Sequence, residues 1–168
     1  MLDELKRYVG LIDGPNCERC LRMLDEHQQR FEEAWGSSHN HQAWAGGYLG
    51  HVVEVMRLAC TLHIAMGTIR PLPFTMQDAL LVLFLHDLEK PWKQDLTDRT
   101  KDARHRFRLA MIAQYGIELT DEQDNALQYV EGEGDDYRSN RRVMNELAAF
   151  CHMCDVASAR IWHDQPKR

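Results

Sequence analysis

Apolar positions recur every three or four residues over most of this chain, as in helices that bury one face. Pro15 and Asn16 open such a segment, and Leu21, Leu24, Phe31 and Trp35 continue it until Gly36-Ser37-Ser38 breaks the pattern. Gly46-Gly47 marks a second break or a close approach of backbone. Residues 48–65 read as a strongly apolar helix carrying Leu49, Val52, Val53, Val55, Met56, Ala59 and Leu62, with Gly67 as its end and Pro71 and Pro73 in the connection after it. The run Ala79-Leu80-Leu81-Val82-Leu83-Phe84-Leu85 is apolar on every face. It starts behind Thr75, a predicted N-cap, and must stop at Pro91, which disfavours helical geometry at Lys90 and cannot donate to a helix. Residues 93–101 form a polar loop or lid. Helices are expected at about 103–115, ended by Gly116, and at 121–130. The charged stretch 131–142 is a loop, and a last helix covers about 143–162. Residues 79–85 alone could pass for a buried parallel strand, but no partner strands accompany them. The pattern predicts an all-α fold, one compact helical bundle spanning 1–168, with no internal repeat or linker.

Composition narrows the function. A length of 168 residues suits one domain with a proper core. The net charge of −6 argues against gripping a long nucleic acid, which takes a basic face, but not against a mononucleotide, which needs only a local cluster of cations. No apolar run is expected to reach membrane-spanning length, and Met1-Leu2-Asp3-Glu4 lacks the basic-then-apolar layout of a signal peptide. The expectation is therefore a cytoplasmic protein without membrane contact. Five cysteines, an odd number, argue against a disulfide framework. Cys17 and Cys20, with Cys151 and Cys154, form two Cys-x-x-Cys pairs that could bind one zinc ion. Both pairs fall in helical pattern rather than in the tight turns of zinc knuckles, so thiols at i, i+3 on two helices are favoured over a zinc staple.

The chemistry is concentrated where the pattern predicts burial. His86 and Asp87 follow the most apolar run directly, with side chains about 100° apart around a helix axis. Burying both costs free energy unless something pairs with them, and a metal ion lying between their directions would replace lost hydration and keep the carboxylate ionised. His51 and Asp155 are ionisable groups on two other apolar helices. Alone, each is more often a satisfied core histidine or a solvated aspartate. Three apolar helices each carrying one raise the odds of a shared site.

In order along the chain, His51, His86-Asp87 and Asp155 resemble the H…HD…D signature of the HD-domain phosphohydrolases. The segment Gly46-Gly47-Tyr48-Leu49-Gly50-His51 is similar to the glycine-glycine-x-x-x-His segment of one branch, and His86-Asp87-Leu88-Glu89-Lys90-Pro91 to that branch's His-Asp-Leu-Gly-Lys-Pro run. The resemblance spans about residues 39–160. It implies an HD-like helical domain, one divalent ion held by His51, His86, Asp87 and Asp155, and hydrolysis of a phosphate ester. Such a donor set accepts Mn²⁺, Fe²⁺, Co²⁺, Ni²⁺ or Zn²⁺. Lys90 would hold a phosphate. Glu89 replaces the branch's glycine and is read as a surface charge rather than a general base. His105 stands near where two-metal relatives add a histidine, and Glu131 could substitute for a missing His-His pair. One ion is expected, with a second through His105 and Glu131 as the alternative. His39 and His41 precede the glycine pair, as histidines do in that branch, and could bind phosphate or pass a proton to the leaving oxygen. Trp35, Trp44, Tyr48 and Trp92 are candidates for stacking on a base, though core packing explains at least two of them. Arg138, Arg141 and Arg142 could clamp phosphates, while Asp135 and Asp136 are read as solvated.

The leading expectation is a phosphohydrolase acting on a small nucleotide, such as a deoxynucleoside mono- or triphosphate. A phosphodiesterase on a cyclic or short oligonucleotide comes second, because the branch's exoribonucleases carry an added nucleic-acid-binding module not expected here. A non-catalytic nucleotide-binding module and a zinc-stapled interaction protein are the other classes. Assembly into a homo-oligomer through helices is left open.

Overall fold

A computed structural model describes residues 1–37, 42–98 and 100–162, and His39 and His41 lie outside the described residues. Among these described residues eight α-helices follow in order: α1 Leu2–Val9, α2 Pro15–Glu26, α3 Gln28–Glu33, α4 Gly47–Ile69, α5 Met76–Leu85, α6 Lys101–Tyr115, α7 Asp121–Tyr129 and α8 Glu146–Arg160. Short 3₁₀ turns occur at Lys90–Trp92 and Gly134–Asp136. There is no strand among the described residues, only isolated bridges at Trp35–Ala45 and Arg138–Arg141. The chain is all-α, as its periodicity predicts.

The core forms where α4, α5 and α8 meet, with α1 against α4 and α5, and α7 against α5 and α8. Every residue from Ala79 to Leu85 is buried, so α5 is surrounded on all sides. Its start is fixed by a reciprocal cap. The Thr75 hydroxyl accepts from the Asp78 amide at 3.2 Å, and the Asp78 carboxylate accepts from the Thr75 amide at 2.9 Å. The other Asp78 oxygen accepts from Gln123 Nε2 at 2.7 Å, and Gln123 closes the matching box with Thr120 at the start of α7. The N-termini of two packed helices are thus tied by one side-chain bond.

Several boundaries differ from the sequence pattern, each for a local reason. The predicted helix from Pro15 is interrupted at His27, whose Nε2 stands 2.9 Å from the Tyr115 hydroxyl oxygen and which leaves helical geometry at φ −121°. α4 runs through Gly67 to Ile69 and stops only at Arg70, the residue before Pro71, which disfavours helical geometry there. α8 begins at Glu146 rather than near 143, since the Asn145 side chain caps the amide of Ala148 at 2.7 Å. The short amphipathic α1 was not anticipated. At 23 residues α4 is also long and apolar enough to cross a membrane by length and composition, contrary to the expectation that no run would be. Its first half, however, is packed into the core through Tyr48, Val52, Val55 and Met56.

Gly47, at the start of α4, is the close backbone approach that the glycine pair foretold. A Cβ there would sit 1.9 Å from the Gln42 carbonyl oxygen, which is backbone and cannot swing away. Gly47→Ala is therefore expected to cost more than about 2 kcal/mol, the range of forced backbone shifts in packed sites. Urea denaturation of the variant beside wild type measures this.

Candidate metal centre

The four candidate ligands come from the helices of the central trio and from the turn that closes α5. His51 lies one turn into α4, His86 is the C-cap of α5, Asp87 follows it in the turn, and Asp155 sits in the second half of α8. His86 keeps helical angles (φ −61°, ψ −34°), so the direction set by α5 carries into the turn. The polar atoms converge. His51 Nε2 lies 3.2 Å from His86 Nε2, 3.1 Å from Asp155 Oδ1 and 3.4 Å from Asp87 Oδ2. His86 Nε2 lies 3.2 Å from Asp87 Oδ2 and 3.7 Å from Asp155 Oδ1. Both rings are sealed from solvent, Asp87 nearly so, and the Asp155 side chain is 20% exposed. Among the described residues, His51, His86 and Asp87 form a cluster whose donor atoms, all within 4.8 Å of one another, could hold a metal ion.

The surroundings fix which nitrogen of each ring faces the cluster. His86 Nδ1 donates to the Leu83 carbonyl at 2.7 Å, so in the neutral ring Nε2 carries the lone pair. The Ser158 hydroxyl donates to Glu54 Oε2 at 2.7 Å, and its oxygen stands 3.1 Å from His51 Nδ1, ready to accept from it. Gln42 Nε2 also donates to Glu54, at 2.8 Å. A carboxylate–serine–histidine relay therefore points the second Nε2 lone pair at the first. Ligating histidines are normally oriented by such an outer hydrogen bond, and two opposed lone pairs flanked by carboxylates suit a cation.

Electrostatics agree. Burial works against a charged His86 ring, but the Asp87 and Asp155 carboxylates outweigh it and raise its pKa to about 10. Burial likewise opposes ionisation of Asp87, yet Lys90 and His86 hold its pKa well below the usual carboxylate range. Asp155 is lowered against burial by hydrogen bonds from His51 and His86. The pocket favours positive charge between its acids, which a divalent ion supplies more fully than one proton.

The cluster opens onto a cavity of about 370 Å³ lined by Asp87, Lys90, Arg104, Glu131, His152, Asp155, Val156, Ala159 and Arg160.

This chain is similar to 3′-5′ exoribonucleases. It is 35% identical over 92 residues to the 3′-5′ exoribonuclease YhaM of Shouchella clausii, covering 54% of this chain and 27% of that protein. Identity to the YhaM of a Geobacillus species is 28% over 92 residues, 54% of this chain and 26% of that protein. The chain thus spans about a quarter of the length of these relatives. No protein-family profile and no solved structure matches it. The similarity to YhaM is coarsely compatible with a metal-dependent nuclease or phosphohydrolase.

The remaining candidates distribute unevenly. Lys90 Nζ bonds Asp87 Oδ2 and lines the cavity. Glu131 lines it too, but its carboxylate is held by Arg104 and Arg108, both at 3.3 Å. His105 faces a different cavity, with Lys101, Gln128 and Asp136, so the structure does not pair it with Glu131 there. Burial and the Arg108 charge lower its pKa. Trp44 is half-buried beside the glycine pair, and Trp92 and Tyr48 are core residues. Arg138, Arg141 and Arg142 are exposed and do not line the cavity; Arg142 pairs with Glu146 at 3.0 Å, and Arg138 bonds the carbonyls of Asp135 and Tyr137. The cations at the cavity are instead Lys90, Arg104 and Arg160. Cys20, Cys151 and Cys154 are buried thiols whose pKa burial raises, to about 12 for Cys20 and Cys154, the opposite of zinc-ready thiolates.

Glu89 corrects the surface-charge reading. It is 3% exposed, within 3.9 Å of the fully buried Arg108 and 3.8 Å of Arg104, and burial together with Asp87 raises its pKa. Arg108 also donates to the His86 carbonyl, an acceptor that the end of α5 leaves without a helical partner. A helix arginine ordinarily reads as solvated, so nothing in the one-dimensional pattern marked it. His152 and Ser158, by contrast, were findable: they lie three residues either side of Asp155, on its side of α8.

Two outcomes follow. His86 in the metal-free protein holds its proton up to about pH 10, whereas ligation needs the bare ring. Loading Zn²⁺ or Mn²⁺ at pH 8 should therefore release about one proton per ion, read by calorimetry in buffers of different ionisation enthalpy. Metal affinity should rise with pH. Separately, Arg108→Met strips two carboxylates and a carbonyl of their buried cation and should cost about 3 kcal/mol in urea unfolding.

Proposed function

We propose that the protein is a metal-dependent phosphohydrolase of the HD type, cleaving a phosphate ester or anhydride of a small nucleotide. One observation carries the reading: two histidines sealed in the core converge with two aspartates, Asp87 and Asp155, that form part of the wall of an open cavity. His51, His86, Asp87 and Asp155 would hold one divalent ion, which when bound polarises a phosphoryl oxygen and acidifies a water. The chain itself supplies the rest. Lys90, Arg104 and Arg160 present positive charge to a phosphate from three directions in sequence, while Val156 and Ala159 give the cavity an apolar wall. A volume of about 370 Å³ is in the range of small-ligand sites. The net charge of −6 supports a small substrate over a long polymer.

A phosphodiesterase releasing nucleotides from a short RNA is the second reading, favoured by the exoribonuclease names of the similar proteins. Both readings use the same bond chemistry and differ in what occupies the leaving side.

Metal-stripped protein reloaded with Mn²⁺, Co²⁺, Ni²⁺, Zn²⁺ or Mg²⁺, offered ribo- and deoxynucleotides and short oligoribonucleotides, should turn over one substrate class. Asp87→Ala should abolish that turnover. Nucleotide binding without turnover under every metal would replace the enzyme with a binding module.

A further inference from the structure

His152 is a third histidine near the cluster, and its setting differs from that of His51 and His86. Those two rings are sealed in the core with their Nε2 atoms facing each other. The His152 ring is half-buried and lines the cavity itself, one helical turn before Asp155.

Its orientation is fixed from behind. Nδ1 bonds the Val130 carbonyl at 2.7 Å, satisfying an acceptor that the end of α7 leaves over. A carbonyl only accepts, so Nδ1 carries the hydrogen, and the neutral ring presents a lone pair at Nε2. Nε2 has no hydrogen-bond partner among the described residues. Gly132 keeps that edge of the ring clear. Its φ is +97°, and a Cβ there would stand 3.4 Å from Cε1 and 3.7 Å from Nε2 of His152. A held tautomer, an uncovered acceptor atom and a place on the wall shared with Asp87 and Asp155 make up the setting of a proton-transfer group.

We propose that His152 is the proton acceptor of the hydrolysis, a role that rests on the phosphohydrolase reading above. Nε2 takes one proton from the attacking water as that water's oxygen forms the new bond to phosphorus. The phosphorus–oxygen bond to the leaving group breaks, and the departing oxygen takes a proton from solvent in the open cavity. His152 then returns its own proton to solvent, so one water is consumed per bond cleaved.

The test uses His152→Asn and His152→Ala in the metal-loaded full chain. The asparagine amide can still donate to the Val130 carbonyl but offers nothing in place of Nε2. Wild-type unfolding and metal content are expected, with kcat down about 100-fold, KM nearly unchanged, and partial rescue of the alanine variant by free imidazole. Undiminished kcat in His152→Asn, or a loss confined to KM, overturns the proton-transfer role while leaving the phosphohydrolase reading intact. A lowered metal stoichiometry also overturns it, making His152 a ligand. A wild type inert on every nucleotide overturns the phosphohydrolase reading, and His152's role with it.

Discussion

Two imidazole Nε2 atoms stand 3.2 Å apart in a region sealed from solvent, each ring locked from behind so that its lone pair faces the other. Bare, they would repel. A proton or a cation has to lie between them, and Asp87 and Asp155 supply the negative charge that makes either one stable there. That requirement reaches far into the fold. His51 and Asp155 belong to α4 and α8 and His86 caps α5, so the meeting of these helices is set by polar atoms as much as by apolar packing. The unbroken apolar surface of α5 then has a purpose beyond burial: it delivers the chain to His86 with no freedom left, and the linked caps at Thr75 and Thr120 fix where the delivery starts.

Behind the cluster sits a second layer of buried charge. Glu89 stands where the resembling branch has glycine, and its carboxylate is buried two residues from Asp87. An unpaired acid there would be prohibitively costly, and α6 answers it with Arg104 and Arg108, which also gather in Glu131. Around the cavity and its rear wall, Asp87, Asp155, Glu89 and Glu131 face Lys90, Arg104 and Arg108. Arg160 adds a fourth cation at the cavity, so acids and bases balance there. A bound divalent ion would tip that balance positive, and the same neighbourhood would then attract an anion such as phosphate.

Legibility in the sequence followed the range of the interactions involved. Most of the helices beyond α1, the Thr75 cap and the four residues of the cluster could be read because each depends on local periodicity or on an ionisable group interrupting it. The interruption at His27, the burial of Glu89 and the use of Arg108 could not, because each is decided by a partner on a helix remote in sequence: Tyr115 for the first, α6 for the second, the end of α5 for the third. The arginines of 131–142 were attractive candidates on composition alone. In the fold they satisfy their own loop and the start of α8, and the cavity draws its cations from α6 and the end of α8 instead.

α8 shows how one helix serves both masters. Its inner face, Leu147, Cys151, Cys154 and Ser158, is buried and follows the three- and four-residue steps of an ordinary core helix. The residues it gives to the cavity are His152, Asp155, Val156, Ala159 and Arg160, which keep the same steps rotated about one residue around the axis. A core stripe and a reactive stripe thus share one period and one helix, offset by about 100°. Ser158 is the join: buried on the inner face, it links Glu54 to His51 and so orients a ring of the cluster, while Asp155, one turn before it, touches both that ring and the cavity. The packing that stabilises α8 against α4 is therefore the same packing that sets the distance from Asp155 to His51. Loosening the core here and disordering the cluster are one physical event.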